Sequence, residues 1–320
     1  MRRAALALAV VLLLSLPYWV GNAYYVNIAS QVLIWAIFAL GLNVLVGYAG
    51  LVSLGHAGLF GMASYTAAWL IASGAGQLAG ALGALAMTVL MSAVFAVLAL
   101  RATGIGFLMI TLALGQILWG IAYRWISLTN GDNGINVSAR PMPFGISLAS
   151  AAPFYFLTAL VFLTAVAAME RFVASPFGAS LRGTRDQPRR MTALGYDVWL
   201  IRFLAFLISG FWTGVAGLLF CYYNQFVSPH LLALGSSAEV LLMVISGGSG
   251  TLLGPIAGAA LVVVMKNVAS AYIERWNLVL CAIFVGIIVF MPEGLVPGSR
   301  RLSRWLWTSV AAGAGGASRR

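Results

Sequence analysis

The sequence predicts an all-α integral membrane protein that crosses the bilayer about ten times, with some spans short or broken and both termini cytoplasmic. Hydrophobic residues make up 62% of the 320 residues and charged residues only 8%, whereas soluble domains have about 45–50% and about 25%. Ten apolar stretches approach the roughly 20 residues that a helix needs to cross a bilayer. Basic residues are concentrated between alternate stretches, which orients the chain.

Composition also excludes several other classes of protein. A soluble core of this length could not bury so much apolar surface, and intrinsic disorder requires low hydrophobicity. The net charge of +11 does not indicate nucleic-acid binding, because the basic residues lie between apolar stretches and not on one clustered face. Cys221 and Cys281 lie inside apolar runs, where a thiol usually acts as a small hydrophobic group.

The ten apolar stretches define the predicted spans. The first follows Met1-Arg2-Arg3, a start also typical of a secretory signal, but it is long and no clear cleavage site follows, so we expect a retained helix. The eighth is short, so it is either a half-helix or begins earlier, near Leu231. The stretches are residues 4–21, 25–46, 51–73, 78–100, 104–123, 152–169, 201–223, 236–247, 252–270 and 277–292.

The distribution of basic residues places the amino terminus inside. In that orientation the inner segments contain 14 of the 18 basic residues and the outer segments contain four, in agreement with the positive-inside rule. The four outer residues are Arg124, Arg140, Lys266 and Arg275. We therefore expect one transmembrane domain over residues 1–298, followed by a basic, flexible cytoplasmic tail over 299–320.

Two connecting segments are long enough to have a role of their own. The periplasmic loop, about 124–151, contains the turn formers Asn130, Asp132 and Asn133, and lacks the further oxygen ligands of a calcium loop. The cytoplasmic loop, about 170–200, contains arginines and turn signals that predict two short helices, one starting near Ser175-Pro176 and one ending at a Gly195 cap. Lipid binding alone is the alternative role for its arginines.

Two glycine-rich segments, residues 41–61 and 246–258, interrupt the apolar stretches. Non-helical backbone at membrane depth is tolerated only within protein or beside water, so these breaks indicate a substrate path, with tight helix packing as the alternative. The candidate break positions are Gly47, Gly50, Gly55, Gly58, Gly247, Gly250 and Gly254. The candidate path-lining residues, each alternatively an interhelical hydrogen-bonding group, are Asn43, Ser53, His56, Thr111, Gln116 and Glu239.

The sequence offers no constellation for catalysis, metal binding or a cofactor. Lys266 is the only lysine and does not follow glycine, so no phosphate-binding loop for ATP is present. The two histidines and two cysteines have no zinc spacing. His56 is either buried and neutral or part of a proton relay, but a relay needs acidic partners, and Glu239 is the one acid expected within a span.

These segments carry a resemblance to a known family. The chain resembles the permease subunits of branched-chain amino acid ABC transporters, in particular the LivM type, from about residue 30 to 297. The matching segments are GLNVLVGYAGLVSLGHAGLFGMASY, TGIGFLMITLALGQILWG, LTNGDNGI, SPFGASLRGTRDQPRRMTALGYDVWLIRFLAFLISGFWTGVAGLL, GGSGTLLGPIAGA and MPEGL.

The resemblance implies an importer without catalytic residues in this chain. Its expected partners are a second permease, of LivH type or another copy, two separate cytoplasmic ATPase subunits, a periplasmic substrate-binding protein that docks on the outer loop, and membrane lipid. The substrate would be branched-chain amino acids or a related small polar solute. The resemblance also implies an ATPase-coupling loop that includes Arg182, Arg185, Asp186, Arg189, Arg190 and Gly195.

Two other functional classes remain open from the residues alone. One is an ATP-independent secondary transporter or channel for small polar solutes, and the other is an intramembrane enzyme. Copurification distinguishes them, because only the ABC interpretation requires ATPase partners.

Overall fold

The computed structural model describes residues 2–19, 21–137 and 150–272, with single residues and short runs between 278 and 298. The described chain is almost entirely helical, as predicted. The long helices are α1 Arg2–Trp19, α2 Ala23–Asn43, α3 His56–Ala72, α4 Gln77–Ala99, α5 Ile105–Arg124, α7 Ala151–Ala174, α10 Val198–Asn224, α11 Leu234–Gly247 and α12 Leu253–Tyr272. The short elements are α6 Ile126–Thr129, α8 Pro176–Asp186, α9 Pro188–Ala193, β1 Ile135–Asn136 and β2 Phe226–Val227.

Within the described residues, six segments are long and apolar enough to cross a membrane. They are Ala23–Ala49, Gln77–Ala99, Ile105–Arg124, Ala151–Ala174, Val198–Asn224 and Leu253–Ser270. The tenth predicted stretch, 277–292, lies largely outside the described residues, and the tail over 299–320 lies wholly outside them. The expectation of a multi-pass helical membrane protein is confirmed, and the count of ten stays a prediction.

Two predicted spans differ from the helices that form. The third was expected from residue 51, but its helix begins only at His56, because residues 50–55 form no regular helix. The eighth is α11, which has 14 residues and begins after Ala233. A 3₁₀ turn at Pro229–Leu232 precedes it, and Ala233 is extended, so the span is a short helix and not one that starts near Leu231.

Helix α2 lies at the centre of the protein. It packs against α7, α10, α11 and α12, and every residue from Leu33 to Asn43 is buried. In its most apolar 18-residue window 94% of the residues are buried, against 28% for α4 and for α5. A helix that is apolar on all sides requires protein on all sides, so α2 forms the core and α4 and α5 form the periphery.

Aromatic rings fix the contacts around α2. Phe38 stacks on Phe60 of α3 with ring centroids 4.7 Å apart, and Trp35 stacks on Phe60 at 5.8 Å. Phe220 of α10 meets the edge of Phe60 at 5.3 Å. Offset and edge-to-face pairs of this kind favour one packing arrangement, so this cluster sets how α2, α3 and α10 meet.

Residues 125–137, which follow α5 and are called the outer turn after their predicted side of the membrane, form a compact turn. Asn130 adopts the left-handed conformation at φ 61° and its side-chain amide donates to the Gly134 carbonyl at 3.2 Å. The strand β1 then pairs antiparallel with β2, which follows α10. The predicted structured turn is therefore confirmed, and pairing with β2 anchors it to the end of α10.

Candidate functional site

The first glycine-rich break interrupts the chain at the end of α2. The helix continues as a π-helix over Val44–Ala49 and stops at Gly50, whose φ is 70°. Residues 51–55 form no regular helix, and α3 begins at His56. A π-helix within a longer helix commonly marks a functional site.

The second break separates α11 from α12. Helix α11 ends at Gly247 and α12 begins at Leu253. Between them, the Thr251 hydroxyl donates to the Gly248 carbonyl at 2.8 Å and accepts from the Gly254 amide at 3.0 Å. These bonds satisfy backbone groups that the two helix ends would otherwise leave unpaired.

Asn43 joins the two breaks. Its side-chain Nδ2 donates to the Thr251 carbonyl at 2.9 Å, and its Oδ1 accepts from the Gly250 amide at 3.0 Å. The asparagine is only 1% exposed, so both bonds form in a region from which water is excluded. A buried bond to a backbone group is costly to leave unmade, and Asn43 therefore links segments more than 200 residues apart in sequence.

Gly47 allows the same two segments to approach. A Cβ at this position would lie 2.3 Å from the Gly250 amide nitrogen and 2.2 Å from Asn43 Oδ1. Both distances are shorter than any contact that a real side chain makes, and the atoms in the way are a backbone group and its bonding partner. Glycine is therefore required at Gly47 for the breaks to touch.

The inner segment between α7 and α10 forms a helical hairpin, α8 followed by α9. Ser175 caps α8, its hydroxyl accepting from the Gly178 amide at 3.2 Å, and Pro176 occupies the first turn. Helix α9 ends in a Schellman motif: the Gly195 amide donates to Thr192 at 3.0 Å and the Tyr196 amide to Met191 at 3.1 Å. The predicted helix start and glycine cap are confirmed.

Arg185 connects this hairpin to the breaks. Its Nη1 donates to the Gly47 carbonyl, and its Cγ lies 2.8 Å from where a Cβ on Gly50 would be. On the other side of α8, Arg202 of α10 donates to the Thr184 carbonyl at 2.8 Å. The carboxyl end of α8 is therefore bonded both to the first break and to α10.

The other predicted coupling residues make no hydrogen bond to the breaks within the described structure, although the charge of Arg182 acts on Tyr48 of the π-helix. Arg182 donates to the Val173 carbonyl of α7 at 3.1 Å. Asp186, Arg189 and Arg190 are exposed, and in the described part of the chain their side chains make no hydrogen bond or ion pair. The hairpin thus presents two unpaired arginines on α9 to its surroundings.

His56 lies in a buried hydrogen-bond chain. Its Nδ1 lies 2.8 Å from Ser53 Oγ and its Nε2 lies 2.9 Å from Ser209 Oγ, while Ser209 donates to the Gly41 carbonyl at 2.6 Å. The network assigns the proton to Nε2, because Ser209 must accept there, and Nδ1 then accepts from Ser53. A neutral imidazole satisfies every group, and no acidic residue in the described structure joins the chain.

Of the remaining predicted path residues, Thr111 contacts the first break, whereas Gln116 and Glu239 do not. Thr111 on α5 is buried and accepts from the Leu54 amide at 3.3 Å. Gln116 is half-buried one turn further along α5. Glu239 of α11 is 17% exposed and forms an ion pair with Lys266 of α12 at 3.2 Å. The structure therefore brings together Asn43 and the break glycines, and separately Ser53 with His56, but leaves Gln116 and Glu239 elsewhere.

The other break glycines lie at close helix contacts. An added Cβ would lie 2.3 Å from the Thr111 carbonyl oxygen at Gly55 and 3.2 Å from the Gly115 Cα at Gly58. At Gly247 it would lie 1.8 Å from the Gly254 carbonyl oxygen. These positions allow α5 to approach the first break and α12 to approach α11.

The predicted docking residues are at the surface. Asn130, Asp132 and Asn133 are all exposed on the outer turn. Among the described residues no group of three or more histidine, cysteine or acidic side chains is placed to hold a metal ion.

Several residues that hydrogen-bond to the candidate residues or to their segments were not predicted from the sequence. Thr251, Ser209 and Arg202 are each essential to a contact described above, but their relevance depends on tertiary proximity. Lys266 was assigned to an outer segment, whereas it lies within α12. The only sequence signal for its pairing was that Glu239, an acid within a span, requires a compensating charge.

Comparisons with known proteins agree with this architecture. The family described as branched-chain amino acid transport system / permease component matches residues 24–290. The high-affinity branched-chain amino acid transport system permease protein LivM of Escherichia coli K12 is 30% identical over 91% of this chain and 74% of that protein. LivM of Salmonella typhimurium LT2 is also 30% identical, over 86% and 70%.

A second group of relatives is more distant. The permease protein LivH of Escherichia coli K12 is 22% identical over 82% of this chain and 91% of that protein. No solved structure gives a significant match. The family match covers both glycine-rich breaks, the α8–α9 hairpin and the outer turn, and the chain therefore belongs to the permease components of the branched-chain amino acid transport systems.

Proposed function

We propose that this chain is the membrane-spanning subunit of an ABC importer that translocates branched-chain amino acids or a related small polar solute. The observation that carries the proposal is the bond from Arg185 to Gly47. Through it, a hairpin outside the apolar spans contacts the place where Asn43 holds the two breaks together. A movement of the hairpin is thereby transmitted to both breaks.

The proposed topology has about ten spans, with both termini in the cytoplasm of a bacterium and the spans in its inner membrane. The charge distribution supports it, because the α8–α9 hairpin is rich in arginine and the outer turn is not. In this topology the breaks lie toward the inner face, next to the hairpin. Residues 1–298 form one permease domain, and 299–320 form a flexible basic tail.

The proposed partners follow from the surfaces on each side. Arg189 and Arg190 of α9, exposed and unpaired in the described structure, are suited to docking in a groove of a cytoplasmic ATPase, of which an importer has two. The exposed Asn130, Asp132 and Asn133 are suited to docking a periplasmic substrate-binding protein. The matches to both LivM and LivH proteins support a second permease subunit of LivH type.

The proposed mechanism is alternating access driven from outside the chain. ATP closes the ATPase dimer, the α8–α9 hairpin moves as a rigid body, and Arg185 transfers the movement to the π-helix. The path opens and closes near the two breaks, with the six predicted polar residues, Asn43 to Glu239, as its candidate lining. This chain supplies no catalytic group, and hydrolysis belongs to the partner subunits.

Copurification tests the assembly. The chain is extracted from its native membrane in mild detergent, and ATPases, a second permease and a binding protein are expected to accompany it. A chain that is recovered alone and transports in vesicles without ATP would be an ATP-independent transporter, and the proposal would be wrong.

A matched pair of variants tests the coupling. In the reconstituted complex, Arg185→Gln is expected to abolish most substrate uptake while ATP hydrolysis continues, because the hairpin is no longer bonded to the first break. Arg101→Gln is the control, since Arg101 is exposed and makes no hydrogen bond to either break in the described structure. Equal uptake by the two variants would contradict the role of Arg185.

A further inference from the structure

An apolar cleft lies on the periphery of the protein, away from both breaks. It opens between α3, α4 and α5, and its volume is about 660 Å³. Its walls come from the halves of these helices nearest the outer turn, and residues of α6, β1 and the 3₁₀ turn before α11 close its end. The cleft exists because α3 packs closely on α4, while α5 contacts α4 far less.

The lining of the cleft includes few polar groups, and the hydroxyl of Tyr65 is one of them. Tyr65 lines the cleft and is only 7% exposed. Among the described residues its hydroxyl makes no hydrogen bond, the hydroxyl oxygen has almost no accessible surface, and the charge of Asp132 acts on it. The two other hydroxyls of the lining are satisfied, since Thr66 donates to the Met62 carbonyl at 2.8 Å and Thr129 to the Ala122 carbonyl at 2.7 Å. The Tyr65 hydroxyl is therefore out of reach of an occupant, and the lining that an occupant can contact is apolar.

The mouth of the cleft faces the membrane and not the aqueous phase. Trp69, Leu90, Ile121 and Trp125 line it and are exposed, so the opening is apolar and lies on membrane-spanning helices. A zwitterionic solute would find no charged group among the lining residues. The tryptophans occupy the outer ends of their helices, where aromatic residues meet the headgroup region.

The size of the cleft argues against a helix of a neighbouring subunit. A helix is about 10 Å in diameter, so a volume of about 660 Å³ would hold only about 8 Å of its length. The volume lies instead in the range of about 300–1,000 Å³ typical of sites for small molecules. A flexible hydrocarbon chain can enter such a space through a narrow lateral opening.

A cation lies beside the opening. A shallow depression next to the cleft shares Ile121 and Trp125 with it and also contains Arg124, the last residue of α5. Arg124 is exposed, and the described structure gives its side chain no acidic partner. A guanidinium at this depth is suited to bind a phosphate.

We propose that this cleft binds a membrane phospholipid, with one acyl chain inside and the phosphate beside Arg124. The lipid belongs to the leaflet on the side of the outer turn, residues 125–137. It fills the gap between α4 and α5 and holds α5, which carries Thr111 and Gln116, against the rest of the bundle.

Native mass spectrometry of the full-length chain, delipidated and then titrated with dioleoylphosphatidylglycerol, tests the site. Wild type is expected to retain one lipid. Ala86→Phe, which fills the lining, is expected to remove this binding, and Arg124→Gln to weaken it about tenfold or more, the loss of one charge-assisted hydrogen bond. Ala79→Phe, also exposed on α4 but outside the lining, is the control and is expected to bind normally.

A photoreactive side chain at position 86 distinguishes the possible occupants in the native membrane. Capture of a phospholipid supports the proposal, whereas capture of a second permease chain would overturn it. Undiminished lipid binding by folded Ala86→Phe and Arg124→Gln variants would also overturn it.

Discussion

Single side chains hold the non-helical parts of this membrane protein in place. Asn43 gives two bonds to the second break, and His56 connects Ser53 to Ser209. In a bilayer each backbone group must find a partner within the protein. A polar side chain at a break therefore has a structural role, whatever further role it has along a substrate path.

Asn43→Ala tests that structural role. The substitution leaves the Gly250 amide and the Thr251 carbonyl without their partner, and each buried group left unsatisfied costs about 1–3 kcal/mol. We expect a clearly lower thermal unfolding midpoint and loss of uptake. Asn27→Ala on the same helix, whose side chain has no hydrogen bond in the described structure, should change stability by less than about 0.5 kcal/mol; equal midpoints for the two variants would contradict the role of Asn43.

The ion pair between Glu239 and Lys266 is suited to a double-mutant cycle. Lys266→Met leaves the carboxylate of Glu239, which is 17% exposed, without its cation. We expect this single variant to be less stable than the double variant Glu239→Gln with Lys266→Met, since the single change leaves a largely buried carboxylate uncompensated and the double change leaves no charge. Thermal unfolding of the four proteins measures the coupling.

Uptake by the same four proteins separates the two roles of this pair. A purely structural pair predicts that the stable double variant transports normally. A double variant that is stable but inactive would place Glu239 on the path. A coupling energy of zero would show that the interaction between Glu239 and Lys266 does not affect stability.

At the scale of helices, features that depend on neighbouring residues could be predicted from the sequence, whereas contacts between residues far apart in the sequence could not. The start of α8 at Ser175-Pro176 and the glycine cap after α9 depend on a few neighbouring residues, so both could be predicted. The contact of Asn43 with Thr251 spans 208 residues, and no pattern in one sequence reveals it. The late start of α3 was also missed, because residues 50–55 are apolar enough to resemble a span.

The α8–α9 hairpin is expected to depend on Gly195. Its φ is 86°, whereas proline fixes φ near −65° and lacks the N–H that Gly195 donates to Thr192. We expect Gly195→Pro to insert normally but to lose ATP-dependent uptake, because α9 no longer holds its angle to α10. Gly195→Ala should lose less, since it retains the N–H and costs only about 1–2 kcal/mol of left-handed strain.

The charge of α9 offers an independent test of the same element. Reversal of Arg189 and Arg190 to Glu changes no contact within the described chain, so the fold should be unaffected. We expect the ATPase subunits to dissociate during purification and uptake to be lost. Arg101→Glu, another exposed arginine of the predicted cytoplasmic side, is the control; retention of the ATPases by the doubly reversed variant would exclude α9 as their docking site.

At the scale of the whole molecule, the proposed function assigns separate roles to three parts of the architecture. The outer turn is anchored to α10 through β1 and β2, the rigid core surrounds α2, and the hairpin meets the breaks on the opposite side. Composition alone predicts a helical membrane protein, because few other folds accept 62% hydrophobic residues. Which face can dock the ATPase subunits, and which can dock the binding protein, depends on which face is cytoplasmic.

Cysteine labelling determines that orientation. In a background with Cys221→Ala and Cys281→Ala, a cysteine at Asp132 is expected to react with a membrane-impermeant maleimide in cells whose inner membrane is intact. A cysteine at Asp186 should react only after that membrane is permeabilised. Both native residues are exposed, so differences in reactivity report the side of the membrane and not burial. A cysteine at Ala84, which is 0% exposed, should react in neither state.

The labelling pattern bears on the mechanism as well as on the topology. If the cysteine at Asp186 reacted first from outside, the arginines of α9 would face the periplasm and could not meet a cytoplasmic ATPase. The Arg185 bond to Gly47 would then be a packing contact at the outer face. Labelling of Asp132 from outside and Asp186 from inside instead places the junction of the two breaks one hydrogen bond away from the cytoplasmic surface, where a push from an ATPase reaches it directly.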